Sequence, residues 1–207
     1  MICAVVALAG CGGYREAMDK KITKAKADAE AAKAAAEANA TVTPNPELPK
    51  ATSKKLITSP VVEAAIRKEL KKPTGELTQA DLKKVTELEL DRKQLTSVKG
   101  LEKLTQLESL HLPHNKLTNV KGLENLTQLK ELPLDDNQLT SVKGLEKLTQ
   151  LEGLWLPRNK LSDVKGLEKL TRLTELDLMD NPNLTKAQID QLQRALPNCK
   201  INSNPTR

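Results

Sequence analysis

Phenylalanine is absent, and Trp155 and Tyr14 are the only indole and phenol rings in 207 residues. Leucine supplies almost all of the apolar bulk, and a core built from one residue type implies one structural unit copied many times. Without aromatic platforms, single-strand nucleic-acid binding by base stacking is excluded. A clustered basic patch is missing too: 33 Lys and Arg against 27 Asp and Glu give a net charge of +6 spread over a mixed surface. The histidines are His111 and His114 only, and the cysteines Cys3, Cys11 and Cys199 make no even disulfide framework. There is no nucleophile elbow, phosphate loop or zinc-ligand spacing, so neither catalysis nor a cofactor is expected. No apolar run approaches the ~20 residues needed to cross a bilayer.

The chain opens on ten uncharged residues, Met1 to Gly10, followed by Cys11. That stretch is too short for a membrane span and suits the hydrophobic region of a secretory signal. Leu8-Ala9-Gly10-Cys11 resembles the lipobox of bacterial lipoproteins. The resemblance implies that residues 1–10 are a cleaved signal peptide and that Cys11 becomes the lipid-bearing N-terminus. Secretory signals normally begin with a basic residue and none precedes this one, which suggests a true start upstream of Met1. Gly12, standing where Asp would favour the inner membrane, implies the outer membrane in an organism that has one. The expected location is therefore the cell membrane, lipid-anchored, with the body of the chain facing the periplasm or exterior. Residues 11–40 then read as a spacer, rich in Ala, Lys and Glu and helix-forming from Tyr14 onward. Residues 41–58 form a linker, since Pro44, Pro46 and Pro49 break any helix.

Beyond the linker the sequence repeats. Leu107-x-x-Leu110-x-Leu112-x-x-Asn115 recurs from Leu129, Leu151 and Leu173, a step of 22 residues. A degenerate first copy runs from Val85 through Leu88 and Leu90, with Lys93 in place of the asparagine. The second half of each copy carries Leu95, Val98, Leu101 and Leu104 or their equivalents, a three-residue period that suits tight 3-10 turns. Over residues 85–183 the pattern resembles the 22-residue leucine-rich repeats of the internalin and phosphatase-regulator class. That resemblance implies an α/β solenoid: a parallel sheet on the concave side, short 3-10 turns on the convex side, and a stack of copies burying one another's leucines. Asn115, Asn137, Asn159 and Asn181 are expected as an inward ladder satisfying buried backbone groups.

A solenoid needs its ends covered. Residues 59–84 provide an N-terminal cap: Ser59-Pro60 opens a helix bearing Val62, Ala65, Ile66 and Leu70, closed by Pro73-Thr-Gly75, and Thr78 with Asp81 caps a second short turn. Residues 184–207 provide the other: Thr185 and Gln188 form a capping box for a helix bearing Ile189, Leu192 and Leu196. Cys199 and Ile201 then sit at strand spacing, the cysteine as a buried cap residue.

The copies can be compared with each other. On the convex side Lys99, Lys121, Lys143 and Lys165 recur, as do Glu102, Glu124, Glu146 and Glu168, and read as a solvated charged face. On the strand side the outward positions vary among the copies: Glu89, His111, Pro133, Trp155 and Asp177, then Arg92, His114, Asp136, Arg158 and Asp180. A tryptophan on an open strand face is a favoured binding anchor. Glu89, His111, Trp155, Arg158 and Asp177 are accordingly expected to form a protein-binding face on a monomer. The alternative is drift at unconstrained positions, with Trp155 shielded by Arg158 and Lys130. Pro133 in mid-strand removes a ladder donor. His111-x-x-His114, with Asp91 or Asp135, has the residue types of a metal site, but strand positions three apart point oppositely and no metal is expected. Neither histidine has a nucleophile partner in a closed site, Ser109 belonging to an open, wet face. The whole reads as a lipid-anchored cell-envelope module that binds a protein partner. The alternative is a structural envelope protein held to peptidoglycan or anionic lipid by its spacer.

Overall fold

The computed structural model describes residues 55–205. The signal, Cys11, the spacer and most of the linker lie outside the described residues.

Six three-residue strands follow one another: β1 (Glu87–Glu89), β2 (Ser109–His111), β3 (Glu131–Pro133), β4 (Gly153–Trp155), β5 (Glu175–Asp177) and β6 (Lys200–Asn202). They form one parallel sheet in sequence order. Alternation along a strand turns the central leucine inward and its neighbours outward. Leu110, Leu132, Leu154 and Leu176 are accordingly sealed from solvent.

After each strand the chain turns across the end of the stack. The asparagine ladder forms as expected. Asn115 Oδ1 accepts from Leu95 N at 2.9 Å, while its Nδ2 donates to Leu90 O at 2.8 Å and Leu112 O at 3.0 Å. Asn137, Asn159 and Asn181 repeat those contacts in the later copies. Lys93, in the first copy, is exposed and takes no such part.

The return path confirms the three-residue period. Leu101 N donates to Val98 O, Leu104 N to Leu101 O and Leu107 N to Leu104 O, all at 2.9–3.1 Å, and the later copies do the same. Leu145–Lys147 and Leu167–Lys169 close into one-turn 3-10 helices. In the earlier copies the same bonds make consecutive turns.

The corner entering this path corrects the reading of the glutamate row as a merely solvated face. Gly100, Gly122, Gly144 and Gly166 have φ between 99° and 113°, a conformation that needs glycine. The N–H of each donates to the carboxylate two residues on: Glu102 at 2.6 Å, Glu124 at 2.5 Å, Glu146 at 2.6 Å and Glu168 at 2.6 Å. These backbone bonds hold the Glu124 and Glu146 carboxyls below the usual range. The row is part of the turn.

Both caps are present. α1 (Pro60–Glu69) starts at Ser59, whose hydroxyl accepts from Val62 N at 3.4 Å. It ends earlier than expected, because Lys71 adopts a left-handed conformation and Lys72 N returns to Arg67 O before Pro73 is reached. α2 (Gln79–Leu82) has the Thr78–Asp81 capping box, and α3 (Lys186–Ala195) the Thr185–Gln188 box. The boundary drawn at residue 58 shifts: Ile57 is 2% exposed and lies beside Gly100, so the packed unit starts before Ser59. Cys199 is buried, and burial pushes its thiol up to about 11. Among the described residues no helix is long and apolar enough to cross a membrane.

Candidate functional site: the concave sheet face

Two outward rows run across the strands. The first, through the strand starts, reads Glu87, Ser109, Glu131, Gly153, Glu175 and Lys200; the second reads Glu89, His111, Pro133, Trp155, Asp177 and Asn202. The five expected strand-face residues thus fall into place except Arg158, which lies three positions past Trp155. Burial separates them. Glu89 is exposed and Trp155 half-buried, but His111 is 6% and Asp177 5% exposed. A short outward side chain between strands ~4.8 Å apart is covered laterally by its neighbours. These two residues are therefore corrected from open contact points to buried supports. Asp177 accepts from Met179 N at 2.9 Å, and His111 Nε2 lies 2.9 Å from Ser109 Oγ.

Trp155 is seated by a gap in the first row. A Cβ added to Gly153 would stand 2.2 Å from the indole Cη2 and 2.7 Å from Cζ3. The six-membered ring therefore lies over the bare glycine. Of the two side chains that the alternative reading placed beside Trp155, Lys130 pairs with Glu108 at 2.7 Å and Arg158 with Asp136. The signal that could have located the ring was the coincidence of the only glycine in that row with the only tryptophan in the next.

Past the strand ends, Arg92, His114, Asp136, Arg158 and Asp180 all have φ of 52–57°. That left-handed backbone is what the turn demands, and it constrains a row that the alternative reading left to drift. Arg158 clasps Asp136, Nε to Oδ1 at 2.6 Å and Nη2 to Oδ2 at 2.5 Å, and reaches Asp135 at 3.8 Å. His114 Nδ1 lies 3.1 Å from Asp136 Oδ2. Potential ligand atoms of His114, Asp135 and Asp136 lie within 4.8 Å of one another. The charge that a cation would neutralise there is already met by Arg158. His111 is not part of this group, so the two histidines do not converge. Burial raises the Asp135 carboxyl above its ordinary value.

Ser109, expected to have no histidine partner, lies against the His111 imidazole. The nearby carboxylate, Glu131 Oε2, accepts from the Ser109 hydroxyl at 3.5 Å.

Pro133 also has a physical account. The β2–β3 pairing registers only Ser109 with Glu131, whereas the other four strand pairs register three residues each. The loss is local, because Leu112 N still donates to Pro133 O at 3.0 Å and Leu134 N to Trp155 O at 2.7 Å.

The parallel ladder, the asparagine column and the 3-10 return path together define a leucine-rich-repeat solenoid. Residues 105–147 and 149–194 match the family model described as Leucine Rich repeats (2 copies). An internalin from Listeria monocytogenes is similar in structure, with a TM-score of 0.65 and 28% identity over 73% of this chain and 44% of that one. A leucine-rich-repeat protein from Leptospira interrogans aligns with a TM-score of 0.55 and 30% identity, over 61% of this chain and 34% of its own. The chain spans less than half the length of either. Comparison with curated proteins gives no match. Solenoids of this class are typically non-enzymatic protein-interaction modules.

Proposed function

We propose that the chain is a lipid-anchored adaptor of the bacterial cell envelope, whose solenoid holds a protein partner on its concave sheet face. One observation carries the binding half: the chain's only indole is half-buried over Gly153 in the middle of that face. A large ring held on a rigid, open sheet is the type of anchor on which protein interfaces concentrate their affinity. The likeness to bacterial leucine-rich-repeat proteins supports the same reading, since such stacks present extended concave binding surfaces. The anchoring half rests on Leu8-Ala9-Gly10-Cys11, and a lipidated Cys11 places the adaptor at the membrane, the outer one where it exists. Acyl chains add ~0.8 kcal/mol of membrane affinity per buried methylene, so two or more chains hold the protein there stably.

The two halves are tested separately in cells. Wild-type protein should enter the detergent phase and Cys11→Ser the aqueous phase; equal partitioning of both removes the anchor. A photoreactive residue at exposed position 89 should give a discrete protein adduct, and one at exposed position 143 on the convex side should not. The reverse pattern would move function to the convex face.

A further inference from the structure

We propose that the concave face recognises a cationic partner segment in polyproline II conformation, with a basic side chain at every third residue. This rests on the concave-face reading above and adds the partner's chemistry.

The first outward row carries the spacing. Strand register pairs Glu87 with Ser109, Ser109 with Glu131, Glu131 with Gly153, Gly153 with Glu175 and Glu175 with Lys200. Carboxylates therefore stand on β1, β3 and β5, on every second strand. With neighbouring strands ~4.8 Å apart, they repeat every ~9.6 Å. A polyproline II helix rises ~3.1 Å per residue and turns once in three residues, so one of its faces recurs every ~9.3 Å. An extended β ligand would repeat a face every ~6.8 Å and an α-helix every ~5.4 Å. Of the three, only polyproline II keeps step with the row.

The sign of the charge points the same way. Glu89 in the second row adds to Glu87, Glu131 and Glu175, and Lys200 on the edge strand is the only Lys or Arg of the two rows. The face is thus acidic on a chain whose net charge is +6. Among the described residues no ion pair engages Glu89, Glu131 or Glu175, whereas Arg158 neutralises Asp136 and Lys130 pairs with Glu108 just outside the two rows. Between Glu131 and Glu175, the Trp155 ring covers Gly153. A segment that sets basic residues on those two carboxylates lays its intervening residues on the indole, where a proline ring packs well. A basic side chain passing over the ring is attracted by its π-system.

Open ion pairs contribute little one at a time, so affinity here depends on several in register, and spacing becomes the discriminator. The test uses the full chain and three peptides: Arg-Pro-Pro-Arg-Pro-Pro-Arg, its composition-matched isomer Arg-Arg-Arg-Pro-Pro-Pro-Pro, and Glu-Pro-Pro-Glu-Pro-Pro-Glu. Calorimetry measures affinity, and emission from the single tryptophan reports on the face. The spaced cationic peptide should bind saturably, more weakly at high salt, and about fivefold to tenfold tighter than the blocked isomer. The double change Glu131→Gln, Glu175→Gln should remove that preference, and Lys143→Ala should not. Equal binding of the two cationic peptides overturns the three-residue spacing, and equal binding of the acidic peptide overturns the cationic assignment. If Trp155 emission still responds in either case, the concave-face reading survives. No saturable binding of the spaced peptide overturns the proposal. Binding that ignores both the tryptophan and the two glutamates overturns the proposal and the concave-face reading together.

Discussion

At the scale of single residues, neighbours on the sheet decide what an outward side chain does. Trp155 depends on the missing side chain at position 153, so Gly153→Ala should lift the ring toward solvent. Its emission should move to longer wavelength, with a fold that melts almost unchanged; an unshifted spectrum would mean that the ring does not rest there. Asp91 presents the opposite case. Its Oδ1 is buried without a hydrogen-bond partner, and burial raises its carboxyl above the ordinary value. The later copies carry Pro113, Asp135, Pro157 and Met179 at the same place. Asp91→Met should therefore stabilise the protein by about 1 kcal/mol near neutral pH. Because the folded-state value is raised, the penalty is full above that value and fades as pH falls from it toward the unfolded value. The variant's advantage should shrink in acid, and chemical denaturation at two pH values measures it.

Elements were legible wherever one local chemistry is enforced at a fixed step. The inward leucines, the asparagine column, the 3-10 path and both capping boxes could be read because each residue's partner lies at a set distance along the chain or one copy away. What depends on lateral packing was not legible: the burial of His111 and Asp177, the Arg158–Asp136 clasp, and the seat of the indole. Ile57 was missed for a similar reason, since one apolar residue beyond a cap has no periodicity to reveal it. The glutamate row was misread because a repeated exposed carboxylate looks solvated until its backbone donor is seen. Glu124→Ala should consequently cost about 1 kcal/mol, where a solvated glutamate would cost almost nothing. Side-chain carboxyl titration by NMR should find Glu124 and Glu146 below the ordinary glutamate range. Their folded-state values are depressed, so their contribution is present above the unfolded value and is lost as pH falls through the folded one. Ordinary titration at both would mean that the corners do not use these bonds.

For the molecule as a whole, stability approximates a sum of similar copies and the interfaces between them. Residues 53–207 form a compact unit and should fold without the N-terminal segment, unfolding cooperatively. Within it Leu132→Ala should cost about 2–5 kcal/mol, since that side chain has no solvent exposure to lose. Lys143→Ala should stay within about 0.5 kcal/mol, and equal damage from both, measured by denaturant titration, would refute the assigned faces. The corner of Gly100 and Glu102 returns as Gly122 and Glu124, Gly144 and Glu146, and Gly166 and Glu168, amid nearly identical sequence. Recombination between any two of these corners rejoins equivalent halves, and gains or loses whole turns of the coil. The sheet tolerates such an event, but removing a single copy brings two strands of like parity together and puts the carboxylates out of phase. Two copies must be lost or gained at once for their alternation to persist, so this lineage can vary its length in single steps only by changing what its surface can grip.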